Sequence, residues 1–437
     1  PNIELLPLTE VEGLDGEAGD FTVTLRARPR GVVPELCIGC DLCAQVCPVE
    51  VANEFNEGLD NRKAIYTRNP LVLPYIYTID WDNCTRCGEC VKRCPTDAID
   101  LSQTDEIIKI EVGAIILSTG FEGFDPHPLT QYGYKRYPNV ITSIELERLL
   151  SPTGPTGGRL LRPSDGEAVG SMAFLQCAGS RTMERNYCSS ACCMYALKEA
   201  MLAKEENPEL DAHIFFMDLR TFGKGYYRYY ERARDEFGVK FTRCRIPVVK
   251  QDPKTKNLIL TTMAEDGGLA TNQFDLLVLS IGQSPSPKFK ELSQTLGIEQ
   301  NRWGFCKTKQ FSSVETTKEG IYVCGSASAP RDIADTLIEA SAASCQASIS
   351  LSSQRRKLVH PRSYPEEIDV SEKEPQVAIF LCRCGEEISS AVDIEEMVEF
   401  GRGLPNVVLA EDIPYLCHKE GLERMKERIK EHEANRV

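Results

Sequence analysis

Cysteine is the residue type that could do chemistry in this chain, and its spacing is regular. Cys37, Cys40, Cys43 and Cys47 precede Pro48, and Cys84, Cys87, Cys90 and Cys94 precede Pro95; each set reads C-x2-C-x2-C-x3-C-P. A cubane [4Fe–4S] cluster needs four thiolates at tetrahedral corners, and three cysteines in one tight loop supply three of them. The fourth, followed by proline, reaches the other cluster. That rule assigns Cys37, Cys40, Cys43 and Cys94 to one cluster, and Cys84, Cys87, Cys90 and Cys47 to the other. Zinc sites use C-x2-4-C pairs rather than triplets. A third group, Cys177, Cys188, Cys192 and Cys193, has the spacing C-x10-C-x3-C-C. Spacing alone leaves this group open between cluster ligands and buried thiols. Cys244, Cys306, Cys324 and Cys345 are isolated and read as buried structural thiols.

Strands and helices must hold these groups. The first signal is an alternating strand, Phe21 to Ala27. Both regular runs lie in a segment from Val33 to Ser102, separated by a long stretch, Pro48 to Asn83, that reads as a loop or an extra hairpin. The apolar run Glu111 to Leu117 reads as one buried parallel strand ending in Ser118-Thr119-Gly120. Gly120 permits close backbone approach to a ligand. Residues 150–169 are rich in Gly, Pro and Ser and read as a linker. A βαβ unit follows: strand Ser171–Cys177, helix Ala191–Glu205 and strand from Ala212. Strand Phe274–Ser280 ends at Gly282, and strand Gly320–Cys324 ends at Gly325 before a helix from Ile333. Tyr226 to Tyr230 reads as an amphipathic helix with an aromatic face packed on the core. The last block predicts strand Val377–Leu381, helix Asp393–Phe400, strand Val407–Glu411 and helix Gly421–Glu431, with a further strand due at Asn435–Val437.

In a nicotinamide-binding βαβ unit, the turn after the first strand carries Gly-x-Gly-x-x-Gly. Here that turn carries Cys177, Cys188, Cys192 and Cys193. Cysteine side chains occupy the space a pyrophosphate needs, so this lobe is not expected to bind NAD(P)H.

Composition bounds the rest. The 437 residues suggest two to four domains, and 42% hydrophobic residues can fill their cores. A net charge of -15 argues against nucleic acid as a partner. No apolar run reaches the length of a membrane span and no secretory signal is visible. Nineteen cysteines fall short of a disulfide scaffold. Their clustering points to metal, and so to a reducing cytoplasm. The five histidines are scattered, and no hydrolase triad stands out. The chain opens on Pro1, and its motif content favours internal residues of something longer.

Several motifs together are specific: Pro1-Asn-Ile-Glu-Leu5, the paired cysteine runs, Ser118 to Pro126, Cys177-Ala-Gly-Ser-Arg181, Tyr187 to Lys198, and Ala329 to Ile333. On these the chain resembles the flavin and iron–sulfur subunit of heterodisulfide reductase, found in methanogens and with relatives in anaerobic bacteria. The resemblance covers nearly all of the chain. It implies an α/β fold: a thioredoxin-reductase-like two-lobe flavoprotein with an inserted α+β ferredoxin-like domain. The expected division is residues 1–32, 104–166 and 288–352 for the FAD lobe, 33–103 for the insert and 167–287 for the NAD-like lobe. A linker, 353–374, then leads to 375–437, a partial α/β domain like the family's N-terminal one. Its Cys382, Cys384 and Cys417 resemble three ligands of a further cluster, in a tandem arrangement with a second flavin module following. The Gly-rich FAD fingerprint of this fold does not occur in the chain; in the family it lies upstream of the point matching Pro1.

The resemblance also resolves the third cysteine group as a non-standard [4Fe–4S] site beside the flavin. It nominates Ser118, Thr119 and Gly120, then Gly325, Ser326, Pro330, Asp332 and Ile333, as FAD contacts. Related flavoproteins carry Gly-Asp where this chain has Gly325-Ser326. Lys198 stands where the family has a lysine proposed to act near flavin N5. The implied activity is electron transfer, with flavin-based bifurcation between a high-potential acceptor such as a disulfide and ferredoxin. The implied partners are the other components of such a complex, an input subunit of hydrogenase or formate dehydrogenase type, and ferredoxin, in a large oligomer. Two other readings are a non-bifurcating hub linked to quinone or benzoyl-CoA reduction, and a carrier module without flavin. Flavin content separates the last from the others.

Overall fold

Apolar runs without polar alternation have no solvent side, so they end up in sheets covered on both faces. The computed structural model describes residues 3–437 except 70, 73, 264–267, 356, 358–363, 365, 368, 384–387, 389–391, 414, 415, 417 and 418. The chain divides into two compact units: residues 1–27, 56–60 and 107–358, and residues 28–55, 61–106 and 359–437.

In the first unit, β1 (Thr9–Glu17) and β2 (Asp20–Ala27) form an antiparallel hairpin, and β3 (Glu106–Val112) lies along β2. The single strand expected over 111–117 is two. β3 ends at Val112, and β4 (Ile115–Leu117) starts after Gly113. Leu351 crowds this point: its Cδ2 is 2.4 Å from where a Cβ on Gly113 would sit. A doubly wound lobe follows: β5 (Val140–Thr142), α1 (Ser143–Leu149), β6 (Ser171–Ala178), α2 (Cys192–Glu206), β7 (Asp211–Phe216), α3 (Tyr226–Asp235), β8 (Lys240–Arg243) and β9 (Leu276–Ile281). The five strands are all parallel, in the order β5-β9-β6-β7-β8.

Met172 and Phe174 of β6 face one core with Leu276 and Val278; Ala173 and Leu175 face the other with Leu277 and Leu279. Helix α1 starts with a capping box, in which the Glu145 amide donates to Thr142 Oγ1 (3.1 Å) and the Thr142 amide to the Glu145 carboxylate (2.7 Å). Such a cap stabilises a helix by about 1 kcal/mol. Helix α2 covers the sheet with Ala196, Leu197, Ala200 and Met201, an i, i+4 stripe. Tyr229 and Tyr230 of α3 pack on that core as expected. The expected linker 150–169 is instead a packed loop. Its Leu160 and Val169 are buried, and the Leu160 amide donates to the Glu206 carboxylate at 2.9 Å. The unit closes with β10 (Ile321–Val323), parallel to β4, and α4 (Ile333–Ser350).

In the second unit, the cysteine runs carry short helices, Leu42–Gln45 and Glu89–Arg93. The stretch between the runs forms hairpins: Glu50–Ala52 with Asn61–Lys63, and Ile65–Tyr66 with Thr78–Ile79. Arg62 ties them, donating to Glu54 at 2.6 Å and to Asp80 at 2.9 Å. The C-terminal block forms β11 (Val377–Cys382), α5 (Ile394–Arg402), β12 (Val407–Ile413) and α6 (Lys419–Glu431), with β11 parallel to β12. Arg436 pairs in parallel with Val377, where the next strand was expected. Among the described residues no helix is long and apolar enough to cross a membrane.

Candidate functional site

Each regular cysteine run turns through two left-handed residues at matching offsets. These are Gly39 (φ 67°) and Asp41 (φ 63°) after Cys37, and Arg86 (φ 54°) and Gly88 (φ 77°) after Cys84. Such turns gather backbone N–H groups into concavities that suit anions, iron–sulfur clusters among them. One small cavity is lined by Cys47, Cys84, Cys87 and Cys90 with Val49, Ile65, Ile79 and Leu101. Three thiols of the second run thus meet the fourth of the first, as the spacing rule requires. Cys43 lies with Cys37 and Cys40. Thr96 Oγ1 donates to the Leu36 carbonyl at 2.6 Å, which brings the chain after Cys94 beside Cys37.

Amides point at the sulfurs: Arg86 to Cys84 at 3.4 Å and Ala98 to Cys94 at 3.3 Å. Burial, then the neighbouring sulfurs, push the Cys43 thiol up to about 12, and burial raises Cys90 too. Crowded buried thiolates are unfavourable alone, and bound iron is the charge that offsets them. A single tetrahedral zinc would draw four sulfurs to about 3.8 Å from one another, from Zn–S near 2.3 Å. Among the described residues no three Cys, His, Asp or Glu side chains gather tightly enough to hold one ion.

The irregular group sits at the carboxyl end of β6, next to the end of β9, where this kind of sheet binds its ligand. Cys177 is itself left-handed (φ 65°), at a break in the β6–β9 register between Leu175 and Ala178. A non-glycine residue there costs about 1–2 kcal/mol, so the turn is imposed by its surroundings. Gly179 (φ 78°) and Arg181 (φ 57°) continue the alternation. A Cβ on Gly179 would lie 2.0 Å from the Phe124 ring, so only glycine fits.

The loop returns through Cys188, and α2 begins with Cys192 and Cys193, both buried. Ser190, left-handed at φ 60°, donates its amide to Cys188 at 3.4 Å, and the Arg220 amide donates to Cys193 at 3.4 Å. Cys177 lies within electrostatic reach of Cys188 and Cys193, and Cys192 within reach of the other three. Burial pushes the Cys177 thiol up. Cys192 is held well above its usual range because it bonds Cys193, and the same bond lowers Cys193.

The nominated flavin residues fall on two parallel strand ends. Ser118, Thr119 and Gly120 follow β4, and Gly325 and Ser326 follow β10; Ser118 Oγ lies 3.0 Å from the Cys324 sulfur. Gly120 is left-handed (φ 69°) with open space around it, whereas Gly325 packs against Thr336. Pro330 leads to Asp332, which caps α4 by accepting from the Asp335 amide (2.8 Å) and also accepts from Tyr226 OH (2.9 Å). Ile333 is exposed. Lys198 lies on α2 just over a turn beyond Cys193, and its ammonium pairs with Glu147 at 2.7 Å. In the C-terminal block the Leu416 amide donates to the Cys382 sulfur at 3.5 Å. Cys384 and Cys417 lie outside the described residues. Of the isolated cysteines, Cys306 and Cys324 are buried as expected and Cys244 is half-buried. Cys345 is exposed, because the inward stripe of α4 is Glu339, Ala343 and Ala347.

Three polar residues near these sites escaped the sequence reading. Glu339 is buried and accepts from the Gly325 amide (2.9 Å) and from Arg331 (2.7 Å), fixing the turn after β10. A lone acid in the stripe with Ala343 and Ala347 was a readable signal for it. Gln283 bonds the Arg331 backbone twice, at 2.9 and 3.1 Å, and its own amide donates to Ser189 at 3.1 Å. Arg181 pairs with Asp218, 37 residues away, which no local pattern reveals.

Residues 36–99 match the family described as 4Fe-4S dicluster domain, and residues 209–347 match Pyridine nucleotide-disulphide oxidoreductase. The second match begins after the cysteine-bearing turn. The CoB–CoM heterodisulfide reductase iron-sulfur subunit of Methanocaldococcus jannaschii is 44% identical over 374 residues, 84% of this chain and 57% of that protein. A CoB–CoM heterodisulfide reductase iron-sulfur subunit of Methanopyrus kandleri is 45% identical over 80% of this chain and 54% of its own length. The corresponding subunit of the Ferredoxin:CoB-CoM heterodisulfide reductase of Methanosarcina acetivorans is 36% identical over 92% of this chain and 53% of its length. The chain spans about half the length of the curated relatives it matches. With the topology described above, the matches give an α/β fold in which a 4Fe-4S dicluster segment accompanies a pyridine nucleotide-disulphide oxidoreductase lobe.

Proposed function

The chain belongs, over the portion it spans, to the family of heterodisulfide reductase iron–sulfur subunits, flavoprotein oxidoreductases with [4Fe–4S] clusters and FAD, and on that premise we propose that it is the electron hub of such a complex. The observation that carries this reading is the gathering of Cys177, Cys188, Cys192 and Cys193 at the carboxyl end of β6, in place of a nucleotide-binding turn. FAD takes electrons in pairs and releases them singly, and an iron–sulfur cluster carries one at a time. In this reading Cys37, Cys40, Cys43 and Cys94 hold one cluster, Cys84, Cys87, Cys90 and Cys47 a second, and the irregular four a third.

Ser118, Thr119, Gly120, Gly325, Ser326, Pro330, Asp332 and Ile333 line the flavin side of the FAD site. The adenine and pyrophosphate side needs a Gly-rich turn that this sequence lacks. Exposed Ile116 of β4 and Leu337 and Ile338 of α4 suit coverage by that part of an FAD lobe. Lys198 supplies positive charge toward reduced flavin once Glu147 releases it. Cys382, Cys384 and Cys417 are three ligands of a further cluster. The finer activity is bifurcation, with ferredoxin as one acceptor and the other components of a cytoplasmic heterodisulfide-reductase-like complex, including a hydrogenase- or formate-dehydrogenase-type donor, as partners. The division into lobes, insert and C-terminal block given by the sequence serves this arrangement.

Iron and flavin analysis of the anaerobically purified native complex tests the proposal. It expects FAD and about twelve iron atoms per copy of residues 1–352, three cubanes of four. Clusters without FAD, with all partners present, would leave only a passive carrier module.

A further inference from the structure

Arg181 lies four residues beyond Cys177 in the same loop. Its Nη2 donates to Asp218 Oδ2 at 2.7 Å, and its guanidinium lies near enough to Cys177 for the two to interact electrostatically. Its Nη1 is buried and meets no acceptor among the described residues. A buried cationic N–H without an acceptor is a costly group, because it gives up its bonds to water for nothing. Beside four cysteines, the acceptor that suits it is cluster sulfur. The other charges here are few. Arg220 lies against Cys193, and Asp218, which binds Arg181, also pairs with Arg243 at 3.3 Å. Cations therefore face the sulfurs, with Asp218 tempering one of them.

We propose that Arg181 donates through Nη1 to a sulfur of the cluster held by Cys177, Cys188, Cys192 and Cys193, and sets that cluster's midpoint potential, with Asp218 as its counterweight. The inference rests on the third-cluster reading. In the step concerned, the cluster gains one electron and no proton, and Arg181 stays protonated throughout. A fixed cation favours the more negative, reduced form. Arg181 is thus a residue that tunes a potential, and the readout is that potential.

The experiment is an EPR-monitored redox titration of the native complex. The third-cluster signal is the one lost in Cys188→Ala; if that variant loses neither iron nor a signal, the third-cluster reading fails and the inference with it. With the signal assigned, Arg181→Gln lowers the reduced-to-oxidised ratio at fixed potential about tenfold, equal to about 59 mV for one electron. Arg181→Lys, which keeps the charge without the planar fork, lowers it less. Asp218→Asn raises it. The two ferredoxin-type clusters stay unmoved as internal references. Retained iron with an unchanged third potential in Arg181→Gln overturns the inference. If Arg181→Gln sheds iron, Arg181→Lys decides: a lowered potential supports the inference and an unchanged one overturns it.

Discussion

The ferredoxin-like runs and the Cys177–Cys193 loop make one kind of turn from different sequences. Arg86, left-handed and two residues after Cys84, donates its amide to that sulfur at 3.4 Å; Ser190 does the same for Cys188 at 3.4 Å. Their supports differ. The runs stand on helices of four and five residues, and their small core counts Cys37, Cys43 and Cys90 among its own members. The irregular four stand on a sheet buried on both faces and on a helix of fifteen residues. Where metal must build the fold, the ligands come in close repeating spacing. Where the fold is already built, they can be dispersed along it.

Iron removal should separate the two regions most. A segment whose core includes its own ligands loses structure with the metal. Chelation is expected to abolish hydrogen-exchange protection in residues 33–103, while β6, β7 and β9 keep theirs. Equal loss in both regions would break the comparison. Gly179→Val comes next. It forces a side chain into the Phe124 ring at a left-handed position, costing about 2–4 kcal/mol. Third-site iron and several degrees of Tm should go, with the ferredoxin-type signals intact.

Much of this was legible in the sequence, for reasons specific residues show. Helix α2 was expected over 191–205 and runs over 192–206, because the segment is rich in good helix formers. The dicluster segment was readable because each run carries its whole turn within eleven residues. The break at Gly113 was not readable, and the residue packed against it, Leu351, lies far along the chain. Nor was the loop 150–169, where Leu160 and Val169 are two apolar residues in a polar stretch. The flavin residues and Lys198 came from resemblance alone.

A smaller effect sharpens the ligand exchange between the runs. Cys47→Ala should alter the signal of the cluster at Cys84, Cys87 and Cys90 and spare the one at Cys37, Cys40 and Cys43. The reverse outcome would undo the cross-assignment that the cavity supports.

The smallest expected effect concerns Glu199, on the cysteine-bearing helix. It is buried, its Oε2 has no partner among the described residues, and burial with Glu147 nearby holds its carboxyl well above the usual 4.5. The folded protein therefore binds this proton more tightly than the unfolded chain. Its contribution is full below 4.5 and declines as pH rises toward the folded value. Glu199→Gln should gain Tm on the parent as pH rises above 4.5, and a pH-independent difference would refute the assignment.

The central claim is that the irregular four cysteines hold a cluster where a nucleotide would otherwise sit. Iron analysis of Cys188→Ala against the parent complex, both purified anaerobically, tests it most directly. About four fewer iron atoms per chain are expected, with both ferredoxin-type signals retained. Unchanged iron would contradict it.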